Sequence, residues 1–250
     1  MTPRSGIESD SRPDAGSTFD YRVRFDEAAP DGRVRPSVLL RYAQDVAWLD
    51  SDRHGFDRAW YRERGLAWVV RAIEMEISGP IELGQTIRIA TRVIGQRKVW
   101  ARRRANVEAL DGRPLAWLHT DWVLIDERGR LVRVPEIFAE TFKVPAATFD
   151  LGRVTLNPTP VEALRGTVVV RPHELDPLGH VNNAAYVDWL EESLPQDGGR
   201  VLPRHWQLEY ASAAGAGETL TAESWPDGTG WSHRLVRASD GAELFRARVR

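Results

Sequence analysis

The chain has 250 residues, 42% hydrophobic and 28% charged, the make-up of a folded protein with one large domain or two of ordinary size. Lys and Arg number 34 against 36 for Asp and Glu, and the net charge of -2 argues against a dedicated nucleic-acid binder. Cysteine is absent, which excludes a disulfide framework, a thiolate metal site and a cysteine nucleophile.

Residues 1–18 are polar and rich in Ser, Asp, Pro and Gly, so they read as a disordered leader without the apolar core of a signal peptide. No later stretch holds an apolar run of spanning length; the expectation is a cytoplasmic protein with no membrane span. Residues 21–25 alternate like a strand, and Pro30-Asp31-Gly32 marks a loop. Residues 36–50 form a long helical pattern with Pro36 in the first turn. The pattern is apolar on nearly every side, as for a helix wrapped by other structure. A shorter amphipathic helix spans 57–64 and stops at Gly65. Strands follow over 66–78, 85–94, 97–109 and 115–125, with turns at Asp111-Gly112 and Glu127-Arg128-Gly129.

The plan then recurs. Residues 145–166, with prolines at 145, 158 and 160, read as a linker between halves at 19–144 and 167–250. The second half offers a strand over 167–171, a loop at 176–179 and a buried-looking helix over 181–194. Strands over 206–212, 217–225, 231–238 and 243–249 complete it. A strand, a loop, a central helix and an antiparallel meander thus occur twice, which predicts a pseudo-symmetric α+β protein. By spacing, Asp31 and Arg35 match Asp176 and His180, and only the second copy carries a histidine.

That second copy is where chemistry is concentrated. Residues 171–192 read R-P-H-E-L-D-P-L-G-H-V-N-N-A-A-Y-V-D-W-L-E-E, placing a carboxylate and an imidazole on a loop that runs into a helix. A helix start presents unpaired N–H groups and positive potential. Such donors stabilise the oxygen charge that grows during acyl transfer. Gly179 permits close approach of a ligand to the backbone, and Asp176 can activate water or attack a carbonyl itself. Because a thiolate leaves readily, neither a metal nor another cofactor is required.

The segment D-P-L-G-H-V-N-N-x-x-Y-x-x-W resembles the active-site signature of hot-dog fold thioesterases, and the wider chain resembles the double hot-dog acyl-ACP thioesterases. L-A-W-V-V at 66–70, T-D-W-V-L at 120–124, the stretch 130–136 and L-E-Y at 208–210 carry that wider likeness, over about residues 20–250. The resemblance implies two tandem hot-dog folds, each a long helix wrapped by antiparallel sheet. It also implies hydrolysis of fatty acyl-ACP thioesters, with acyl-CoA as the alternative carrier and with the N-terminal half housing the acyl chain. Asp176 and His180 match the family's catalytic pair, and Glu192 matches a glutamate on the following helix. Gly179, Val181 and Asn182 fall where backbone donors would position the carbonyl. Three positions depart: Leu178 replaces a frequent asparagine, and Ala213 and Ala214 replace a glutamate-cysteine pair.

Each residue also has a plainer reading. Asp176 can cap its own turn, His180 can be an ordinary hydrogen-bonded histidine, and Asn182 and Asn183 can simply start a helix. Glu192 can be a surface charge. His54, His119, His173, His205 and His233 show no ligand spacing, so no metal is expected. Arg97, Lys98, Arg102 and Arg104, in the most basic stretch, read either as charges guarding a sheet edge or as a dock for the acidic carrier. Six of the ten tryptophans lie in the N-terminal half, most of them expected in the core. A hydratase or a non-catalytic acyl-binding protein are the rival classes, and because fusion supplies the usual pair of hot dogs internally, monomer and homodimer both remain open.

Overall fold

A computed structural model describes residues 16–195 and 201–250. One ten-stranded antiparallel sheet runs through both halves. In chain order the elements are β1 (Ser17–Arg22), α1 (Pro36–Arg53), α2 (Arg58–Glu63), β2 (Leu66–Ile77), β3 (Thr86–Arg97), β4 (Trp100–Ala109), β5 (Pro114–Asp126) and α3 (Glu136–Phe142). The second half adds β6 (Leu164–Val169), α4 (Asn183–Ser193), β7 (Arg204–Tyr210), β8 (Thr219–Asp227), β9 (Gly230–Arg237) and β10 (Glu243–Val249). Their order across the sheet is β1-β3-β4-β5-β2-β7-β10-β9-β8-β6, so the halves meet at β2 and β7, in register from Ala72 opposite Glu209 to Ile77 opposite Arg204.

Period-two patterning explains which sheet face is filled. Along β3, Ile87, Ile89 and Thr91 are buried while Arg88 and Arg92 are exposed, until a bulge between Val93 and Gly95 breaks the alternation. The inner face closes on α1 and α4. Helix α1 buries Val38, Leu39, Leu40, Tyr42, Ala43, Val46 and Ala47, leaving a strip at Arg41, Asp45 and Trp48 exposed. Each fully buried Leu or Val there contributes about 1.5–3 kcal/mol. The helices touch each other through Arg41 and Asp188 (2.7 Å) and through Gln44 and Asn182 (3.3 Å).

Several features differ from the sequence-based expectation. β1 begins at Ser17, pairing Ser17 and Thr18 with Thr91 and Ala90, inside the expected leader; residues 1–15 of that leader lie outside the described residues. β6 begins at Leu164, within the expected linker. Helix α3 was not anticipated; its Phe138 stacks on Phe56 in a small aromatic cluster with Trp60, Tyr61, Trp68 and Phe142. The linker is strapped to the sheet's outer face. Ala147 N–H donates to Gln96, Gly152 N–H to Asp121 and Val154 N–H to Glu209, so it ties the first half to the second. Among the described residues no helix is long and apolar enough to cross a membrane.

Candidate active site

The loops that lead into α1 and α4 have the same backbone. Ala29 N–H donates to the Arg33 carbonyl at 2.7 Å, and Asp176 N–H to that of His180 at 2.7 Å. Gly32 donates to Ala29, and Gly179 to Asp176, both at 2.9 Å. Both glycines sit in the left-handed region, at φ 80° and 79°, where a side chain would be strained. Glu27 and Glu174 each accept from the backbone three residues upstream and from a helix aromatic, Tyr42 in one half and Trp189 in the other. The bridges Ala28–Val34 and Leu175–Val181 close the two loops.

This register corrects the match by spacing. Asp176 corresponds to Ala29 rather than Asp31, and His180 to Arg33 rather than Arg35; the two four-residue spacings agree but are slipped by two positions. The first loop therefore folds with no carboxylate at position 29. It takes its cap from Asp31, whose Oδ1 accepts from Arg33 N–H at 3.1 Å. The loop shape alone does not call for Asp176 or for His180.

Asp176 and His180 are brought together. Asp176 Oδ1 accepts the N–H of Leu178 at 2.8 Å and that of His180 at 3.3 Å, so one carboxylate oxygen does cap the turn. The His180 side chain is exposed. The predicted backbone donors are already engaged: Gly179 with Asp176, Val181 with the Ala214 carbonyl at 3.1 Å, Asn182 with the Glu174 carbonyl at 2.8 Å. The Asn182 side chain caps α4 at Ala184. Among the described residues the N–H of Asn183, in the first turn of α4, has no partner.

Glu192 does not join this group. It lies ten residues beyond Asn182, roughly 15 Å along the helix axis, and is exposed. Its neighbour Glu191 is the inward carboxylate, accepting from Arg204 at 2.6 Å and Trp206 at 3.0 Å. The basic stretch also divides differently from the docking expectation. Arg102 is held by Asp121, with Nε and Nη2 at 2.5 and 2.7 Å, under the linker ring of Phe149. Arg104 donates to Asn106 and His119. Arg97 pairs with Asp150 at 3.2 Å, and Lys98 stands exposed in the β3–β4 turn at φ 54°.

The two halves differ at three further places beside this loop. At the start of α4 stand Asn183, Tyr186 and, at the end of β7, Tyr210; the corresponding places in the first half hold Pro36, Leu39 and Ile77. Tyr210 donates to the Asn183 carbonyl at 3.0 Å, and the Tyr186 oxygen accepts the N–H of Ala214 at 3.0 Å. Burial pushes the Tyr186 hydroxyl up to about 12, and the charges of Glu218 and Asp176 act in the same direction. Both tyrosines sit inside recognisable motifs, but the signal that marks them is the exchange of apolar for phenolic side chains once the halves are correctly aligned. A cleft of about 1110 Å³ opens between the first loop, the exposed edge β6 and α4. Leu175, Asn182 and Glu192 line it; Asp176, Gly179 and His180 do not.

Two helix-and-sheet units sharing one continuous sheet, with a carboxylate-imidazole loop in one of them, define a double hot-dog protein with a single candidate site. Residues 17–142 match the family profile described as acyl-ACP thioesterase N-terminal domain, and residues 160–250 the profile for the C-terminal domain. The chain belongs to the acyl-ACP thioesterase family. It is 26% identical over 260 residues to a chloroplastic palmitoyl-acyl carrier protein thioesterase of Cuphea hookeriana, covering 92% of this chain and 60% of that relative. Its counterpart from Arabidopsis thaliana is 27% identical over 264 residues, covering 92% and 62%. The chain thus spans about three fifths of the length of these curated relatives. The fold matches those of the 12:0-ACP thioesterase from Umbellularia californica (TM-score 0.79, 21% identity, 93% of this chain and 95% of that one) and an acyl-ACP thioesterase from Bacteroides thetaiotaomicron (TM-score 0.79, 16% identity, 93% and 96%).

Proposed function

We propose that the protein hydrolyses fatty acyl-ACP thioesters, releasing the free fatty acid and the carrier thiol. The observation that carries this reading is the asymmetry of two loops with one backbone: the second alone holds Asp176 and His180, which its shape does not require. Asp176 adds the oxygen, by activating water or by attacking the carbonyl and being freed by water afterwards. His180, exposed on the same loop, orients the carboxylate and stabilises developing charge. The open N–H of Asn183 and the positive end of α4 favour negative charge on the carbonyl oxygen. Water supplies the acid's new oxygen and the proton that the departing thiolate takes up.

Acyl-CoA hydrolysis is the second reading, favoured by Leu178, Ala213 and Ala214, which supply none of the polar side chains of the carrier-protein enzymes at those positions. Thiol release measured on acyl-ACP and acyl-CoA with the same acyl group decides between them: faster turnover of acyl-ACP supports the first reading, and turnover of acyl-CoA alone overturns it. The proposed compartment is the cytoplasm, which cell fractionation tests.

A further inference from the structure

We propose that the Tyr186 hydroxyl is a hydrogen-bond donor to the carbonyl oxygen of the bound thioester, a role that rests on the hydrolase reading of the Asp176 loop. Tyr186 lies one turn into α4 and is 2% exposed. Its oxygen accepts the N–H of Ala214, which occupies one lone pair and leaves the phenolic proton with no acceptor among the described residues. A buried donor without an acceptor is destabilising, because it has given up its bond to water and gained none in return. The fold does not demand it. The corresponding place in α1 is Leu39, fully buried and free of that penalty. A phenol kept at such a site points to a partner that arrives with the ligand.

Its position fits that partner. The Ala214 carbonyl accepts from Val181 N–H, and Val181 bridges to Leu175, the residue before Asp176. Asp176 also acts on the phenol through its charge, as Glu218 does. The N–H groups of Val181 and Asn182, the obvious backbone donors, are spent on Ala214 and Glu174. A raised phenol stays protonated at any working pH and so remains a donor. Water is excluded around it, and donors in such a place act most strongly on developing charge. At 2% exposure the hydroxyl meets the carbonyl only after the entering thioester parts the groups that cover it.

The test uses the full chain and palmitoyl-ACP, reading thiol release. Tyr186→Phe lowers kcat by about a hundredfold, leaves KM within about twofold and leaves the acid limb of the kcat/KM profile in place. Because the same variant strands the Ala214 N–H, a second set replaces Tyr186 with fluorotyrosines, which keep the ring and the acceptor oxygen but sharpen the acidity of the O–H. In that set kcat follows phenol acidity. Unchanged kcat in the Phe variant, or no response to fluorination, overturns the proposal. An acid limb displaced by Tyr186→Phe also overturns it, because the phenol then acts on Asp176. Asp176→Asn measured alongside separates the two levels: an inactive Asn variant beside a fully active Phe variant removes only this inference, whereas a fully active Asn variant removes the assignment of the Asp176 loop as the active site, on which the inference rests.

Discussion

His180 offers the cleanest separation of chemistry from folding, because its side chain is exposed and makes no hydrogen bond among the described residues. His180→Gln is therefore expected to change the unfolding free energy by no more than ~0.5 kcal/mol, the range of surface substitutions, while kcat for thiol release falls about a hundredfold. Equal kcat in variant and parent removes the histidine from the mechanism. The Asp176–His180 pair was legible because both members lie in one short motif whose loop and helix the sequence announces. Glu192 stands apart from the loop for a geometric reason: adjacent helical residues point about 100° apart, and it is Glu191 that turns inward to Arg204. Tyr186 and Tyr210 fall inside the quoted motifs, yet nothing in the motifs themselves sets their phenols apart from core aromatics. Their meaning comes from comparison with Leu39 and Ile77, which needs a register that spacing alone sets two residues off.

Among the strands and helices, the join between α1 and β4 carries a buried charge pair. Asp50 is 2% and Arg103 8% exposed, and they form an ion pair, with Ser17 Oγ donating to Asp50 at 2.5 Å. Removing one partner leaves the other charge buried, so Asp50→Ala or Arg103→Met is expected to cost about 3–5 kcal/mol in urea unfolding. The double replacement Asp50→Leu with Arg103→Met is expected to recover much of that loss; equal destabilisation of single and double variants contradicts the pairing. Strand alternation in the sequence puts Arg102 and Arg104 on one face and Arg103 on the other, as found. What covers the outer face was not legible. The linker arrives from some fifty residues away, and nothing in the basic stretch encodes Phe149 or Asp150 lying over it. Helix α3 escaped notice because seven residues span only two turns, too short for a period to show.

The two halves share a sheet and a strap, so they are expected to unfold together, and a buried histidine sets part of the pH dependence. Burial pushes His233 down to about 3, with Ser224 on its Nδ1 at 2.8 Å and its Nε2 without a partner among the described residues. The unfolded chain titrates this group near ~6.5. Between the two values the unfolded chain binds the extra proton, so stability rises with pH and is lost as pH falls below ~6.5, on the order of 2 kcal/mol by about pH 5. His233→Asn flattens that slope in urea unfolding across the window; an unchanged slope assigns the effect elsewhere. The repeated architecture was legible at coarse grain from two strand-loop-helix-meander runs, whereas the central β2–β7 seam was not, since strand pairing across halves leaves no local pattern. Hydrolysis at this loop turns on the carboxylate at 176, which Asp176→Asn removes directly. Asparagine keeps an acceptor for the Leu178 and His180 amides, so the loop and Tm persist. Thiol release from acyl-ACP by that variant is predicted to fall at least about a hundredfold; release at the parent's rate from a folded variant contradicts the assignment of this loop as the active site.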